Sequence, residues 1–233
     1  MNKKFDYVNT IYSEKNKPFT DYPKKLANYL FNRYKIEKNS RFLELGCGRG
    51  EFLNEFIELG VQGYGLDISD YSKKKYPKIN LLIQDLDQNT KTSYESSYFD
   101  VIFSKSFVEH FYDPQKIFEE MRRLLKPGGI LITLTPCWED NFKMFFDDYT
   151  HKRPFTLQTL INIQSVSNFR NIKVERFKQL PITWSKNSLI KFFFTFLAEA
   201  TKIFLPSFLK KKSKWVRFSK ETMLLSTAKK EGE

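Results

Sequence analysis

The run Arg41–Phe52 constrains the fold of this 233-residue chain more than any other segment. It reads R-F-L-E-L-G-C-G-R-G-E-F, a short apolar stretch followed by three alternating glycines and a helix-forming sequence. This pattern predicts a buried strand, a tight turn and a helix, because glycine permits backbone conformations that a Cβ would exclude. The turn would also bring backbone amides close to a ligand. A dinucleotide fingerprint would have its third glycine at position 51, where the chain has Glu51, so nicotinamide and flavin binding are disfavoured.

Two further segments add acidic side chains at the ends of predicted strands. Gly63–Asp67 ends in a carboxylate about 20 residues after the glycine turn, a position suited to accepting both hydroxyls of a ribose. Ile79–Gln84 is followed by Asp85 and Leu86, which offer an acceptor for an exocyclic amine and an apolar surface for a ring. Together with the glycine turn, these residues predict an adenosine site.

Four more apolar segments complete the predicted sheet. Phe99–Ser104 is the fourth strand, and Leu124–Thr133 contains a helix end, a Pro-Gly-Gly turn and the fifth strand. Asn171–Phe177 and Thr222–Ala228 are predicted as the sixth and seventh. The sequence therefore predicts an α/β protein.

In order and spacing, these segments resemble the class I S-adenosylmethionine-dependent methyltransferases over residues 24–180. The resemblance implies a Rossmann-like, seven-stranded, mostly parallel sheet with an antiparallel last strand, helices on both faces and a helical insert before the last strand. It implies S-adenosyl-L-methionine as the cofactor. The residues that it places around that cofactor are Glu44, Gly46, Cys47, Gly48 and Gly50 at the methionine part, Asp67 at the ribose, Ile68, Asp85 and Leu86 at the adenine, and Ser104 near the sulfonium and amino group.

The same comparison divides the chain into three parts. Residues 1–35 form a cap segment with a helix near Tyr22–Tyr34, in which Tyr7, Tyr12 and Phe19 are candidates to line the cofactor cover. Residues 36–180 and 221–233 form the methyltransferase core. Residues 181–220 form a basic and apolar helical insert, read as a substrate lid or a membrane-surface module.

The insert carries most of the chain's formal net charge of +12. Lys186 to Lys220 contains nine lysines and arginines and the single acid Glu199, next to the apolar run Leu189–Ala198. A spanning helix needs about 20 apolar residues, and the charges in this segment interrupt such a run. Apolar bulk beside dense lysine favours an anionic membrane surface, with packing as a lid or in a homodimer as the alternative. Nucleic acid is disfavoured, since the aromatics form one apolar block instead of alternating with cations.

The number of cysteines and the first residues of the chain indicate the cellular compartment in which the protein is expected. Cys47 and Cys137 are the only cysteines, which excludes a disulfide framework. No apolar secretory segment follows Met1. We expect a cytoplasmic protein, with peripheral association at the inner face of the membrane as a further expectation.

The two histidines fall where catalysis is expected. His110 follows Glu109 directly after the fourth strand, and His151 lies in a polar loop after the fifth. A neutral imidazole near pH 7 suits the removal of a proton from a methyl acceptor. These three residues are the catalytic candidates, and a structural or gating role for the histidines stays open.

The loop Thr150–Thr156 resembles that of the ubiquinone-biosynthesis O-methyltransferases, some of which bind a divalent metal through an E-x-x-E-H motif and a later histidine. Here Ser106 stands in the place of the first glutamate, with Asp147 or Asp148 as conceivable replacements. Metal binding by Glu109, His110 and His151 therefore stays open.

The T-H-x-R-P-F-T run and the basic insert also resemble methyltransferases of bacterial surface-polysaccharide synthesis. That resemblance implies an acceptor hydroxyl on a sugar or a lipid-linked glycan. The alternatives are a small-metabolite or quinone-type O- or N-methyltransferase, a nucleic-acid methyltransferase, and an inactive cofactor-binding protein. The N-P-P-Y motif of amino-group nucleic-acid enzymes is absent, since Ser104–Phe107 occupies its place.

Overall fold

The structure is a computed structural model that describes residues 7–10, 12–205, 209 and 213–232. Lys210–Lys212, the densest part of the predicted basic segment, lies outside the described residues.

A seven-stranded sheet in the order β3-β2-β1-β4-β5-β7-β6 forms the centre of the molecule. Strands β1 to β5 are parallel, and β7 runs antiparallel to both of its neighbours. This confirms the predicted Rossmann-like sheet with its antiparallel last strand. The strands are β1 Arg41–Leu45, β2 Gln62–Asp67, β3 Asn80–Ile83, β4 Phe99–Lys105, β5 Leu125–Pro136, β6 Arg170–Lys178 and β7 Thr222–Lys229.

Helices cover both faces of the sheet and form the insert. They are α1 Tyr7–Thr10, α2 Tyr22–Arg33, α3 Glu51–Glu58, α4 Tyr71–Lys75, α5 Pro114–Leu124, α6 Trp138–Asn141, α7 Leu157–Val166, α8 Ser188–Phe204 and α9 Lys214–Lys220. Short 3₁₀ turns span Val108–His110, Phe145–Asp147 and Pro181–Trp184. The predicted helix near Tyr22–Tyr34 is therefore present as α2.

Each face of the sheet has its own apolar core. On one face, Leu26, Leu30 and Phe56 from α2 and α3 pack against the strands, with Phe42 and Phe56 stacked at a 4.2 Å centroid distance. On the other, α5 and α7 bury residues such as Phe118. This two-sided burial is why the central parallel strands β1 and β4 are rich in buried apolar residues on both faces.

The insert between β6 and β7 consists of α8 and α9, joined to the core by polar contacts. Lys178 on β6 pairs with Glu199 at 2.9 Å, and Lys202 pairs with Asp140 of α6 at 2.5 Å. The packed face of α8 is made of small residues such as Ala198, whereas its large apolar side chains point to solvent. No helix within the described ranges has the length and apolar character needed to cross a bilayer.

The strand order changes direction between β1 and β4, whose connections leave on opposite sides of the sheet. In parallel α/β sheets such a switch point opens a crevice at the carboxyl ends of the strands. Most of the residues predicted for the site lie at this edge.

Candidate active site

The glycine turn follows β1 at the switch point, and two of its glycines are required by the backbone. Gly46 has φ +71°, and a Cβ there would collide with the ring of Phe107. Gly50 has φ +76° and is the N-cap residue of α3, where a Cβ would come within 2.7 Å of Ser72. Both conformations favour glycine strongly over other residues. The turn therefore brings the start of α3 directly to the edge of the sheet.

Asp67 ends β2 beside this turn, and its carboxylate is held by backbone amides. Gly48 N donates to Oδ2 at 2.8 Å, and Ser69 N donates to Oδ1 at 2.9 Å. The hydroxyl of Tyr7 also lies 2.9 and 3.0 Å from the two oxygens. Burial raises the pKa of Asp67 above its usual value, although these hydrogen bonds oppose the shift. The carboxylate is thus fixed in position with hydroxyl-binding capacity.

The segment that follows α1, residues 12–20, lies over the glycine turn and is called here the N-terminal strap. The Arg49 guanidinium donates to the carbonyls of Tyr12 and Lys17 at 3.1 and 2.6 Å. The same guanidinium lies 4.3 Å from the centroid of Phe19, and Lys75 of α4 pairs with Glu14 at 2.9 Å. The glycine turn therefore carries its own anchor for the segment that covers it.

Three other predicted cofactor residues lie beneath this surface. Glu44 is 2% exposed, and its Oε2 has no hydrogen-bond partner among the described residues. Cys47 is buried, with Sγ 3.6 Å from Ser72 Oγ. The Ser104 hydroxyl donates to Thr133 Oγ1 at 3.4 Å. The Cys47 and Ser104 side chains thus contact other parts of the protein, so any contact they make with a ligand would come from their backbone.

The predicted adenine residues lie at the ends of β2 and β3. Ile68 is largely exposed, whereas Leu86 is buried in the core. Asp85 accepts a hydrogen bond from the Asp87 amide at 3.1 Å, which fixes the turn after β3. The exposed Ile68 offers an apolar surface to a ring at this edge.

Glu109, His110 and His151, the three catalytic candidates of the sequence, lie close together in the structure. Their ligand atoms lie within 4.8 Å of one another, and the two imidazole centroids are 4.9 Å apart. Glu109 is fully buried, and its Oε2 accepts from the Thr135 hydroxyl at 2.9 Å while Oε1 has no hydrogen-bond partner among the described residues. Burial raises the pKa of Glu109.

The ring nitrogens of both histidines have defined neighbours. His151 Nδ1 lies 2.6 Å from the Phe145 carbonyl, which can only accept, so Nε2 is the nitrogen that faces Glu109 Oε1 at 3.9 Å. His110 Nδ1 lies 2.9 Å from the Thr150 hydroxyl, which itself donates to Asp148 at 2.6 Å. Burial lowers the pKa of His110, so its imidazole is neutral at pH 7.

Thr150 is a site residue that sequence reasoning did not single out. It lies 40 residues from His110 along the chain, and only the folding of the loop after β5 brings the two together. The hydrogen bonds from Thr150 outweigh the effect of burial on Asp148 and hold the pKa of that carboxyl below its usual value. No local pattern marks a threonine for this role.

A family model described as "Methyltransferase domain" matches residues 17–174, well over half of the chain. Phosphoethanolamine N-methyltransferase 2 of Caenorhabditis elegans is 29% identical over 155 residues, covering 59% of this chain and 35% of that protein. The ubiquinone biosynthesis O-methyltransferase of Actinobacillus pleuropneumoniae serotype 7 is 30% identical over 126 residues, covering 49% of this chain and 50% of the relative. The chain thus spans only a third to a half of the length of these curated relatives.

Solved structures share the fold at low sequence identity. Haemonchus contortus phosphoethanolamine N-methyltransferase 2, solved with phosphomonomethylethanolamine and S-adenosylhomocysteine, has a TM-score of 0.68 at 18% identity, covering 97% of this chain and 60% of that one. A SAM-dependent methyltransferase from Archaeoglobus fulgidus has a TM-score of 0.64 at 22% identity, covering 94% and 98%.

Proposed function

Because this chain belongs to the class I S-adenosylmethionine-dependent methyltransferase family, we propose that it transfers a methyl group to a hydroxyl of a small acceptor. The cofactor of the domain is S-adenosylmethionine, which supplies an electrophilic methyl group. The observation that carries the proposal is the Asp67 carboxylate, fixed by the amides of Gly48 and Ser69 at the switch point. A carboxylate held in this way suits a pair of ribose hydroxyls.

The residues of the crevice fit this cofactor at two points. The glycine turn gives close access to backbone amides, and the unpartnered Glu44 Oε2 can accept from an ammonium group. The Tyr7 hydroxyl now occupies the acceptor positions on Asp67. Cofactor binding therefore displaces Tyr7, because its hydroxyl and the ribose hydroxyls compete for the same two oxygens.

On the acceptor side, His110 or His151 removes the proton of the acceptor hydroxyl. The neutral His110 is oriented by Thr150, and the His151 ring is oriented by the Phe145 carbonyl. Positioning and proton removal are the two contributions that an in-line displacement asks of a protein. Glu109 Oε1 faces His151 Nε2 at 3.9 Å and helps to orient the ring.

A divalent cation is an additional ligand that this cluster could hold. Glu109, His110 and His151 offer one carboxylate and two imidazoles, and the buried Glu109 Oε1 lacks a hydrogen-bond partner among the described residues. Such a donor set suits a borderline divalent metal, which would polarise an acceptor oxygen. Coordination through the free ring nitrogens would replace proton removal by the histidines, because a coordinated nitrogen has no lone pair left for a proton.

For the acceptor itself, we favour a hydroxyl of a sugar or of a lipid-linked glycan at an anionic membrane surface. The support is α8, where Leu189, Phe192, Phe196 and Phe204 form one exposed stripe; Phe192 is 75% exposed. These residues repeat at the spacing of one helix face, opposite the packed Ala198. An exposed apolar stripe within a strongly basic segment is typical of helices that lie on anionic membranes.

A small-metabolite acceptor is the second candidate, because the relatives are named for phosphoethanolamine and ubiquinone synthesis. Here the apolar side chains of α8 would serve a pocket or a second copy of the chain. Activity on a free small acceptor without lipid would favour it over the glycan.

The central test is calorimetric titration with S-adenosylhomocysteine. We expect micromolar binding by the wild-type protein and a loss of roughly a hundredfold for Asp67→Ala, since a hydrogen-bonded charged group is removed. Asp70→Ala is the matched control, because Asp70 lies three residues away and its ion pair with Lys74 is at the surface. Unchanged binding by Asp67→Ala would refute the ribose contact.

The membrane part is tested with sedimentation on anionic liposomes. We expect Phe192→Ser combined with Phe196→Ser to lower the bound fraction at least about fivefold, because both side chains would leave lipid. Val166→Ser removes another exposed apolar side chain, from α7, and should leave binding intact. If neither protein binds lipid, and the wild-type protein forms a dimer that the double substitution abolishes, the stripe is a homodimer interface instead.

A further inference from the structure

Thr150 lies between Asp148 and His110 and contacts both through hydrogen bonds. Its hydroxyl donates to Asp148 Oδ1 at 2.6 Å, and its amide donates to the same oxygen at 3.0 Å. The hydroxyl oxygen also lies 2.9 Å from His110 Nδ1, and the carbonyl oxygen of Thr150 lies 3.2 Å from that nitrogen. One threonine therefore connects a carboxylate to an imidazole through a single hydroxyl group.

The hydrogen of the Thr150 hydroxyl decides which nitrogen of the neutral His110 ring carries the proton. A hydroxyl has one hydrogen and an ionised carboxylate can only accept, so the 2.6 Å contact commits that hydrogen to Asp148. Towards His110 the hydroxyl oxygen can then only accept, as the carbonyl oxygen of Thr150 also does. Both neighbours of Nδ1 thus require a donor, which places the proton on Nδ1. Nε2 keeps its lone pair, and no hydrogen bond among the described residues ends on it.

The second histidine has a different neighbour at its Nε2. The Nδ1 of His151 lies 2.6 Å from the Phe145 carbonyl, so this ring also carries its proton on Nδ1. Its Nε2 faces Oε1 of the fully buried Glu109 at 3.9 Å. An acceptor hydroxyl that approached this nitrogen would have to share the space with a carboxyl group of the protein. Nε2 of His110 is therefore the better placed of the two for a ligand.

Asp148 also acts on the charge that the His110 ring acquires. When Nε2 takes a proton, the ring becomes an imidazolium and both of its nitrogens are donors. Nδ1 keeps its contacts with Thr150, so the proton is taken up without a rearrangement of these hydrogen bonds. The Asp148 carboxylate lies one hydroxyl group away and attracts the positive ring. The ring returns to its neutral form when the proton passes to solvent.

We propose that Asp148 and Thr150 hold His110 in the tautomer with an unprotonated Nε2, and that this nitrogen takes the proton of the acceptor hydroxyl. The assignment rests on the proposed function and adds to it the atom that acts and two positioning residues. It explains why a carboxylate, a hydroxyl and an imidazole lie in series at this edge of the sheet. Asp148 and Thr150 act through His110 and not on the acceptor.

The test is nitrogen NMR of the imidazole rings, recorded on the full chain with a chelator present at about pH 8, where an ordinary histidine is neutral. The chain has two histidines, so His110→Gln assigns the signals. We expect a protonated Nδ1 and an unprotonated Nε2 for His110. Thr150→Val removes the hydroxyl and should lower the ratio of this tautomer to the other about fivefold, the effect of one typical hydrogen bond. Thr150→Ser restores the hydroxyl and should keep the wild-type ratio.

Two further variants separate the carboxylate from the loop that carries it. Asp148→Ala releases the Thr150 hydroxyl hydrogen, which can then be donated to Nδ1, so the ratio should change in the same direction as in Thr150→Val. Asp147→Ala removes an exposed neighbouring carboxylate and should leave the signals unchanged. Diethyl pyrocarbonate, which reacts with unprotonated imidazole nitrogens, compares the two rings directly. We expect mass spectrometry to show faster modification of His110 than of His151.

Three results would overturn the proposal. The first is a proton on Nε2 of His110, donated to the backbone of Ser106, which also acts on this ring. The second is an unchanged tautomer ratio in Thr150→Val, and the third is faster modification of His151, which would assign the proton to that ring. All these measurements are made without cofactor. A wild-type protein that binds no S-adenosylhomocysteine refutes the proposed function and this role of His110 with it, whereas binding together with the opposite tautomer refutes this assignment alone.

Discussion

Two helices of this molecule have similar apolar patterns and opposite environments. In α5, Ile117, Phe118 and Met121 are fully buried against the sheet. In α8, Phe192 and Phe196 recur at a similar helical spacing but remain mostly exposed. The amphipathic pattern therefore reports that an apolar stripe exists, while the packing of the rest of the chain decides whether the stripe is buried.

The difference follows from the opposite faces of the two helices. The solvent face of α5 is polar, so only one orientation on the sheet buries its apolar surface. In α8 the face toward the protein has small side chains, Ala198 and Thr201, and Trp215 of α9 donates to the Thr201 hydroxyl at 2.9 Å. Small residues let the helix approach the core closely, which leaves its large side chains outward.

Truncation of one phenylalanine in each helix gives the largest expected contrast. Phe118→Ala should lower the free energy of unfolding by about 3–5 kcal/mol, because it leaves a cavity in the core. Phe192→Ala should change it by less than about 0.5 kcal/mol. Urea unfolding of both variants measures the difference. A comparable loss for Phe192→Ala would show that the α8 stripe is covered in solution.

A buried ion pair anchors α5 and makes its contribution depend on pH. Glu120 accepts from the Thr92 amide and hydroxyl, both at 2.8 Å, and pairs with Arg123. Burial would raise the pKa of Glu120, but Arg123 and Thr92 outweigh it and lower the pKa below the ordinary 4.5. Because the folded-state pKa is the lower one, this stabilisation is complete above the unfolded value and is lost as pH falls through the folded value.

Glu120→Gln should therefore cost about 1–3 kcal/mol at pH 7 and progressively less below pH 4.5. Unfolding curves across that range measure the change, with the exposed neighbour Glu119→Gln as the control. A cost that stays constant down to acid pH would mean that Glu120 acts through its shape and not its charge.

The smallest contrast concerns the helix caps. Asn187 accepts from the amides of Leu189 and Ile190 at 3.0 and 3.2 Å, whereas Asp113 gives α5 no side-chain cap. Asn187→Ala should cost α8 about 1 kcal/mol, visible as faster hydrogen exchange of its first turns. Asp113→Ala should leave the exchange of α5 nearly unchanged. Equal effects would mean that packing, and not the cap, holds the start of α8.

The sequence predicts the fold well because each parallel strand contains a short apolar run and the turns carry glycine. The sequence also predicts the glycine turn and the position of Asp67, since both depend on the spacing of residues that are close along the chain. Contacts between distant segments cannot be predicted in this way. The Tyr7 hydroxyl, for example, contacts Asp67, which lies 60 residues away along the chain. The contact of Thr150 with His110 is another of this kind. No local sequence pattern predicts that Lys105 is mostly buried. The sequence likewise does not predict that the α8 stripe faces solvent, because the orientation of α8 depends on which of its faces packs against the core.

The position of β7 has a consequence for the order in which the chain assembles. Within the described sheet β6 is hydrogen-bonded only to β7, and β7 lies between β5 and β6. During synthesis β6 therefore leaves the ribosome long before its partner, and the edge of β5 stays open for the whole insert. The exposed apolar α8 is made in that same interval. We therefore expect the nascent chain to be prone to aggregation until residues 222–229 emerge and pair with β5 and β6.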